Sequence, residues 1–299
     1  MIPAKKQNET LLSSTGKPRT PYGRSAPRSA CDKLKGAAPP RVQDHAVPAW
    51  GAEVVSSNIV GYQKINLVTG YNMVGAQFKN VGEGTLTRPI STIGMLDSRM
   101  SGYDNEWTYT TEMLVWDPST LGYTTYGWAG TSGTDVDDDA SYDNQWLDQG
   151  TEITTDTISI TSGFWIHTSE TGTMTISGEV TTNSTVTVNL VAGYNLVANP
   201  FPAEVPVKSF GTLDPSMPGY DSEWTYDTEL LVWNPATLGY TTYGWAGTSG
   251  TDVDDDSSYD NQWLDQGTEI TTDKIPAGSA VWIHAGTAGS ITFTFPSAE

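Results

Sequence analysis

The residues best placed by type and spacing to do chemistry are aspartates. In TDVDDD, Asp135, Asp137 and Asp139 alternate as the first three ligands of a calcium loop do, with Asp138 among them. Asp252, Asp254, Asp255 and Asp256 repeat the arrangement later in the chain. Hard carboxylate oxygens at this spacing suit Ca²⁺ better than a transition metal, and carboxylates crowded into one loop repel each other unless a cation or water screens them. The pattern departs from an EF-hand: Ala140 or Ser257 stands where the loop requires Gly, and Trp146 or Trp263 where it requires Glu. Ca²⁺ is therefore the expected cofactor, in an irregular site completed by neighbouring aspartates and carbonyls, with a solvated acidic loop as the alternative.

A second set of candidates is aromatic. Trp128, Tyr142 and Trp146 flank the first acidic loop, and Trp245, Tyr259 and Trp263 flank the second. Planar rings beside the hydrogen-bonding side chains of YDNQW suit stacking on a sugar, so these six residues are the expected ligand contacts. Trp107 and Trp165 alternate with apolar residues and belong to a core, where a tryptophan buries large area. Trp116 breaks the outward polar pattern of its strand and is expected at the surface.

The elements that carry these residues come in two copies. Residues 106–156 and 223–273 align without a gap and are identical at 46 of 51 positions. The likeness extends back to GYNMV against GYNLV and forward to FWIH against VWIH, so each unit is a whole domain. The expected organisation is residues 1–50 as a basic, Pro- and Ser-rich disordered segment, 51–180 as the first repeat and 181–299 as the second. The repeats are expected to share one topology, to pack few residues against each other and to meet near residues 177–186. The N-terminal segment is expected to add nothing to the fold.

Within a unit the period is two. VTVNL sets Val186, Val188 and Leu190 on one face, and EWTYTTEMLVW sets Met113 and Val115 opposite Glu112. DPSTLG and NPATLG supply Pro and Gly for hairpin turns. No amphipathic helix of three turns stands out. The fold class is all-β: two tandem antiparallel β-sandwich or barrel domains from an internal duplication.

Charge divides sharply along the chain. Nine of the 15 Lys and Arg fall in residues 1–50, leaving six basic against 32 acidic residues in 51–299. The folded part is thus unsuited to nucleic acid or an anionic membrane. Cys31 is the single cysteine, so neither repeat closes a disulfide of its own. No run of 18 or more apolar residues exists to form a membrane-crossing helix. VPAWGAEVV has the small-residue character of a cleavage junction, as in a secreted protein.

Catalytic signals are weak. His167 and His284 occupy matching places in WIH strands with no second His or Cys at ligand spacing, and Glu106 and Glu112 merely share a strand face. No phosphate loop, nucleotide fingerprint or zinc spacing is present. Two near-identical copies raise avidity more readily than turnover, so the chain is expected not to be an enzyme.

GYQKINL, GYNLVANPF, WTY…LVWNPATLGYTTY, WLD and the closing VWIH strand together resemble the β-rich repeats of uncharacterised secreted bacterial proteins, in which a G-aromatic-N-L-V-x-N-P-F opening recurs. The resemblance covers residues 57–295 and implies export and a β fold without supplying catalytic residues. The first copy departs from it, with GAQF where the second has ANPF. The combined expectation is a secreted or cell-surface protein with a structural or adhesive role. Its partner is repetitive, either identical subunits as a homo-oligomer or a glycan, without nucleic acid or membrane insertion. A bivalent carbohydrate-binding module is the alternative and a glycan-active enzyme a distant third.

Overall fold

In a computed structural model the described residues are 59–102, 109–131, 140–148, 152–219, 226–248, 257–265 and 269–295. The expectation about residues 1–50 lies outside them. Residues 55–299 form one compact unit.

The first repeat supplies eleven strands: β1 Val60–Leu67, β2 Gly70–Gly75, β3 Thr87–Pro89, β4 Met95–Leu96, β5 Thr111–Asp117, β6 Gly122–Trp128, β7 Trp146–Asp148, β8 Glu152–Ile153, β9 Thr157–Ser159, β10 Gly163–Thr168 and β11 Gly172–Glu179. The second supplies their counterparts in the same order: β12 Thr185–Leu190, β13 Gly193–Ala198, β14 Val205–Pro206, β15 Thr212–Leu213, β16 Glu229–Asn234, β17 Gly239–Trp245, β18 Trp263–Asp265, β19 Glu269–Ile270, β20 Lys274–Ile275, β21 Ala280–Ala285 and β22 Gly289–Thr294. In each repeat a six-stranded antiparallel sheet, β2-β10-β5-β6-β7-β8 or β13-β21-β16-β17-β18-β19, faces a three-stranded one, β1-β11-β4 or β12-β22-β15. A two-stranded pair, β3-β9 or β14-β20, completes the set. The all-β class and the duplicated architecture expected from period-two patterning are what the chain adopts, with each repeat a two-layer arrangement around its own core.

Strand parity explains the layers. Met113 and Val115 of β5, Tyr126 and Trp128 of β6, and Phe164 and Ile166 of β10 project inward to meet Met174 and Ile176 of β11. The second core repeats this with Leu230, Tyr243, Trp245, Val281, Ile283, Ile291 and Phe293. Residues of opposite parity, Glu112, Leu114 and Trp116, stand on the other face of the six-stranded sheet, where an antiparallel sheet commonly meets water.

Here that face is not left to water, and this corrects the expectation that the repeats share few contacts. Met73, Trp165, Leu196, Ala280 and Trp282 form a third core drawn from both repeats, with Leu114, Trp116, Leu231 and Trp233 packed against it. The backbones touch as well. Gly75 N–H donates to the Gly278 carbonyl at 2.9 Å and Ala198 N–H to the Thr161 carbonyl at 2.8 Å. These are matched positions of the two copies, so the junction is two-fold in pattern, as the isologous interface of a C2 dimer is. Small residues permit the approach: a Cβ on Gly163 would lie 2.4 Å from that of Ala280, and one on Gly75 would lie 2.6 Å from the Ser279 carbonyl oxygen. No sheet of the described residues exchanges strands between copies.

Because the backbone, indole–carbonyl and tryptophan contacts of the junction occur in matched pairs, and Gly75 and Gly163 carry no side chain that would clash, residues 51–180 expressed alone should self-associate through Met73, Leu114, Trp116 and Trp165. Sedimentation should show a dimer that Trp116→Ala returns to monomer. A monomeric fragment with native circular dichroism would refute the two-fold reading.

Candidate functional site

The aromatic residues expected to meet a ligand are mostly interior. Trp128 and Trp245 are 1 % exposed, and Trp146 and Trp263 are fully buried. Trp128 pairs directly with Trp146 across β6 and β7, ring centroids 5.1 Å apart, and Trp245 pairs with Trp263 in the same way. Their parity is that of Tyr126 and Tyr243, which point into the cores, so adjacency to the acidic loops gave them no access to solvent. Removing such a ring costs about 3–5 kcal/mol, and Trp146→Ala would report on folding instead of binding. Tyr142 and Tyr259 are half-buried in the turns leading to β7 and β18. Gln145 Nε2 donates to the Ser141 carbonyl at 2.8 Å and Gln262 Nε2 to the Ser258 carbonyl at 2.8 Å, with Asn144 and Asn261 in the left-handed region at φ 60° and 58°. YDNQW is thus a closed turn. The expected calcium ligands Asp135, Asp137, Asp138, Asp139, Asp252, Asp254, Asp255 and Asp256 lie outside the described residues. Among those described, no group of three or more His, Cys, Asp or Glu is gathered as for a metal.

The accessible aromatics are elsewhere. The GYN motif builds them: Gly70 and Gly193 take φ of 96° and 95°, which glycine adopts without cost. The buried Asn72 side chain then accepts from Val68 N–H at 2.9 Å and donates to the Val68 carbonyl at 2.7 Å. Asn195 does the same with Val191 at 2.9 and 2.8 Å. Between the fixed Gly and the fixed Asn, Tyr71 and Tyr194 project outward, each 47 % exposed. From β6 and β17, Tyr123 and Tyr240 join them at 44 % and 43 %.

Four tryptophans of the junction support these tyrosines. Trp116 meets Trp282 edge-on at 5.3 Å, and Trp165 meets Trp233 likewise at 5.3 Å, each pair crossing between repeats. Trp116 lies 5.1 Å from Tyr123, and Trp233 lies 5.1 Å from Tyr240. Tyr71 contacts Trp165 at 5.9 Å, and Tyr194 contacts Trp282 at 5.9 Å. The indole of Trp116 also donates to the Tyr194 carbonyl at 2.9 Å and that of Trp233 to the Tyr71 carbonyl at 3.0 Å. Trp116, expected at the surface, is half-buried: it breaks the polar pattern of β5 because the other repeat packs against that face.

Burial pushes the Tyr123 phenol up, against the Trp165 indole that holds it down and with a smaller push from Tyr71. Burial likewise raises Tyr240, against the Trp282 indole and with contributions from Tyr123 and Tyr194. The four tyrosines are joined across the junction as a row of phenols on shared indoles, Tyr71 to Tyr240 through Trp165 and Trp233 and Tyr194 to Tyr123 through Trp282 and Trp116. His167 and His284 flank it, 4.6 Å from Tyr71 and 4.8 Å from Tyr194. Compared with protein-family models, with curated proteins and with solved structures, the chain matches none.

Chemically the row offers ring faces, phenol hydroxyls and imidazoles. His167 Nδ1 stands 3.9 Å from Glu112 Oε2, beyond hydrogen-bond length. A cleft of about 230 Å³ opens beside the junction against Met73, Trp233 and Gly278.

Around β3 and β9 the first repeat is built differently from the second around β14 and β20. Lys79 is buried and donates to Glu179 at 3.0 Å, and the buried Arg88 donates to the carbonyls of Phe78, Ser177 and Thr92. In the second copy Val205 stands in place of Arg88, and Phe201 packs on Phe293 and Phe295. The Lys79 ammonium, followed by the Gly82 N–H, holds the Glu179 carboxyl below the ordinary glutamate range. A depressed carboxyl contributes stability above its unfolded pKa and loses it as pH falls through the folded value. Arg99 brings Asp97 down to about 2. Acid should therefore destabilise the protein progressively from the ordinary carboxylate range down to about pH 2, the value of Asp97. Lys79→Met should lower the melting temperature at pH 7 and narrow the difference between pH 7 and pH 3, read by calorimetry. An unchanged difference would show that the pair contributes nothing.

Proposed function

We propose that this chain is a non-enzymatic surface-contact protein, secreted or displayed at a cell surface, with a structural or adhesive role. The observation that carries this reading is the row of half-exposed tyrosines set on a rigid tryptophan junction. Large exposed aromatic groups mark interaction sites, and here the underlying packing fixes them in place before any partner arrives, which lowers the ordering cost of contact. The repetitive partner inferred from the duplication fits such a surface, whether a second copy of this chain or a glycan. Ca²⁺ bound by the two aspartate loops forms part of the reading, supported by the alternation of Asp135, Asp137 and Asp139 and of Asp252, Asp254 and Asp256.

Beads coated with the full chain should adhere to surfaces bearing the same chain or a polysaccharide layer. Tyr71→Ala combined with Tyr194→Ala should reduce that adhesion while leaving the melting temperature within about 2 °C, as expected of surface positions. Turnover of a glycan, peptide or ester that Glu112→Gln with Glu229→Gln abolishes would overturn the reading. For the metal, titration should find about two Ca²⁺ sites per chain, and EDTA should lower the melting temperature because the ion binds only the folded state. A melting curve indifferent to EDTA would remove calcium from the account.

A further inference from the structure

We propose that the tyrosine row is a single binding site for a neutral glycan, lying across the junction of the two repeats. The proposal rests on the surface-contact reading and gives that surface a ligand. It differs from a bivalent lectin built on the loop residues Tyr142 and Tyr259, because Tyr71, Tyr123, Tyr240 and Tyr194 are drawn from both copies and joined through the tryptophans of one junction.

Charge selects the class of partner. Residues 51–299 hold 32 acidic and six basic residues, so an anionic ligand, or a second copy of the same acidic body, meets repulsion over most of the surface. Among the described residues, the carboxylates nearest the row are Glu112 and Glu229, which lie beside His167 and His284 and are paired to them in strand register. Among the described residues, Tyr123 and Tyr240 have the indoles of Trp116 and Trp233 as their aromatic neighbours. A neutral surface within an acidic one favours a neutral ligand.

The ring chemistry then points to sugar. An aromatic face carries negative potential, so it attracts the polarised C–H groups on the flat side of a pyranose. The phenol hydroxyls and imidazoles provide donors and acceptors for the sugar hydroxyls at the edges. The tyrosines have few rotatable bonds and are braced by Trp165, Trp116, Trp233 and Trp282, so little freedom is lost on binding. Four rings from both repeats offer more contacts than a single monosaccharide can fill, so a chain of repeating sugar units is the better match.

The test titrates the full chain with cellohexaose, xylohexaose, mannohexaose and chitohexaose, following heat and tryptophan fluorescence. At least one should bind at a single site per chain and change the fluorescence, since indoles lie under the row. Tyr123→Ala with Tyr240→Ala should weaken binding by at least about tenfold, which corresponds to about 1.4 kcal/mol. Tyr123→Phe with Tyr240→Phe keeps the rings and should lose less, which separates a failure of stacking from a failure to fold. Two sites per chain that depend on Tyr142 and Tyr259, binding only of a basic proline-rich peptide, or no binding of any oligosaccharide would each overturn the proposal. Bead adhesion measured on the same preparations separates the two levels. Adhesion that persists without glycan binding sinks this proposal alone, whereas loss of both removes the surface-contact reading as well.

Discussion

The packing of two tryptophan pairs across the repeat junction is the constraint on which the rest of the molecule depends. Each six-stranded sheet has one face turned toward a core of its own and one that carries Leu114, Trp116 and Trp165, or Leu231, Trp233 and Trp282. A face so apolar could not be left in water by a monomer of moderate size without risk of association. Each repeat therefore covers the other. The same contact resolves a second problem, because β2 and β13 are the edge strands of their sheets and an edge strand presents unpaired backbone groups. The indole N–H of Trp116 and that of Trp233 each satisfy a carbonyl on the opposite edge.

Two-fold pattern does not require two-fold identity. Gln77 holds φ of 54° and sends its amide across to the Phe201 carbonyl at 2.7 Å, while Pro200 at the matching place of the second copy has no donor to return. Where Arg88, Lys79 and Glu179 form a buried polar group in the first repeat, the second uses Phe201, Val205 and Phe295. Both solutions fill the space between β3-β9 or β14-β20 and the neighbouring sheet. Their costs differ: a buried charge pair must recover its desolvation through good geometry, whereas aromatic packing has no such debt.

Much of this architecture was legible in the chain. Alternation of Met113 and Val115 against Glu112 gave the faces of β5, and DPSTLG gave its hairpin, because side-chain parity and turn chemistry are local properties. The burial of Trp128 was legible too, since it shares the parity of Tyr126, but its place beside an acidic loop made exposure the tempting reading. The junction was not legible in the same way. An apolar residue on the outward face, such as Trp116, signals that something covers it and not what does; only the fold shows that the cover is the other copy. Tyr71 and Tyr194 were hidden inside GYN, a motif whose Gly and Asn have local structural reasons and whose aromatic has none. That absence of a local reason is the signal which could have singled them out.

The uneven identity of the two copies has a physical reading in these terms. The span 106–156, matched at 46 of 51 positions by 223–273, supplies Trp116 and Tyr123 to the junction and the row, and Trp128 and Trp146 to the core. β5 in particular is packed on both faces, Met113 and Val115 on one and Leu114 and Trp116 on the other, and a change on either face is felt by a core. The five differences, Thr110 for Asp227, Met113 for Leu230, Asp117 for Asn234, Ser119 for Ala236 and Ala140 for Ser257, change no tryptophan and no tyrosine. Met113 and Leu230 are similar in volume, the kind of exchange a core tolerates. By contrast β1 and β12 lie at the edges of three-stranded sheets, exposed along one side, and there VGYQKINL and TVTVNL share little beyond their alternation. A strand buried on two faces is held to its sequence by two sets of neighbours, and in this chain one of those sets belongs to its own duplicate.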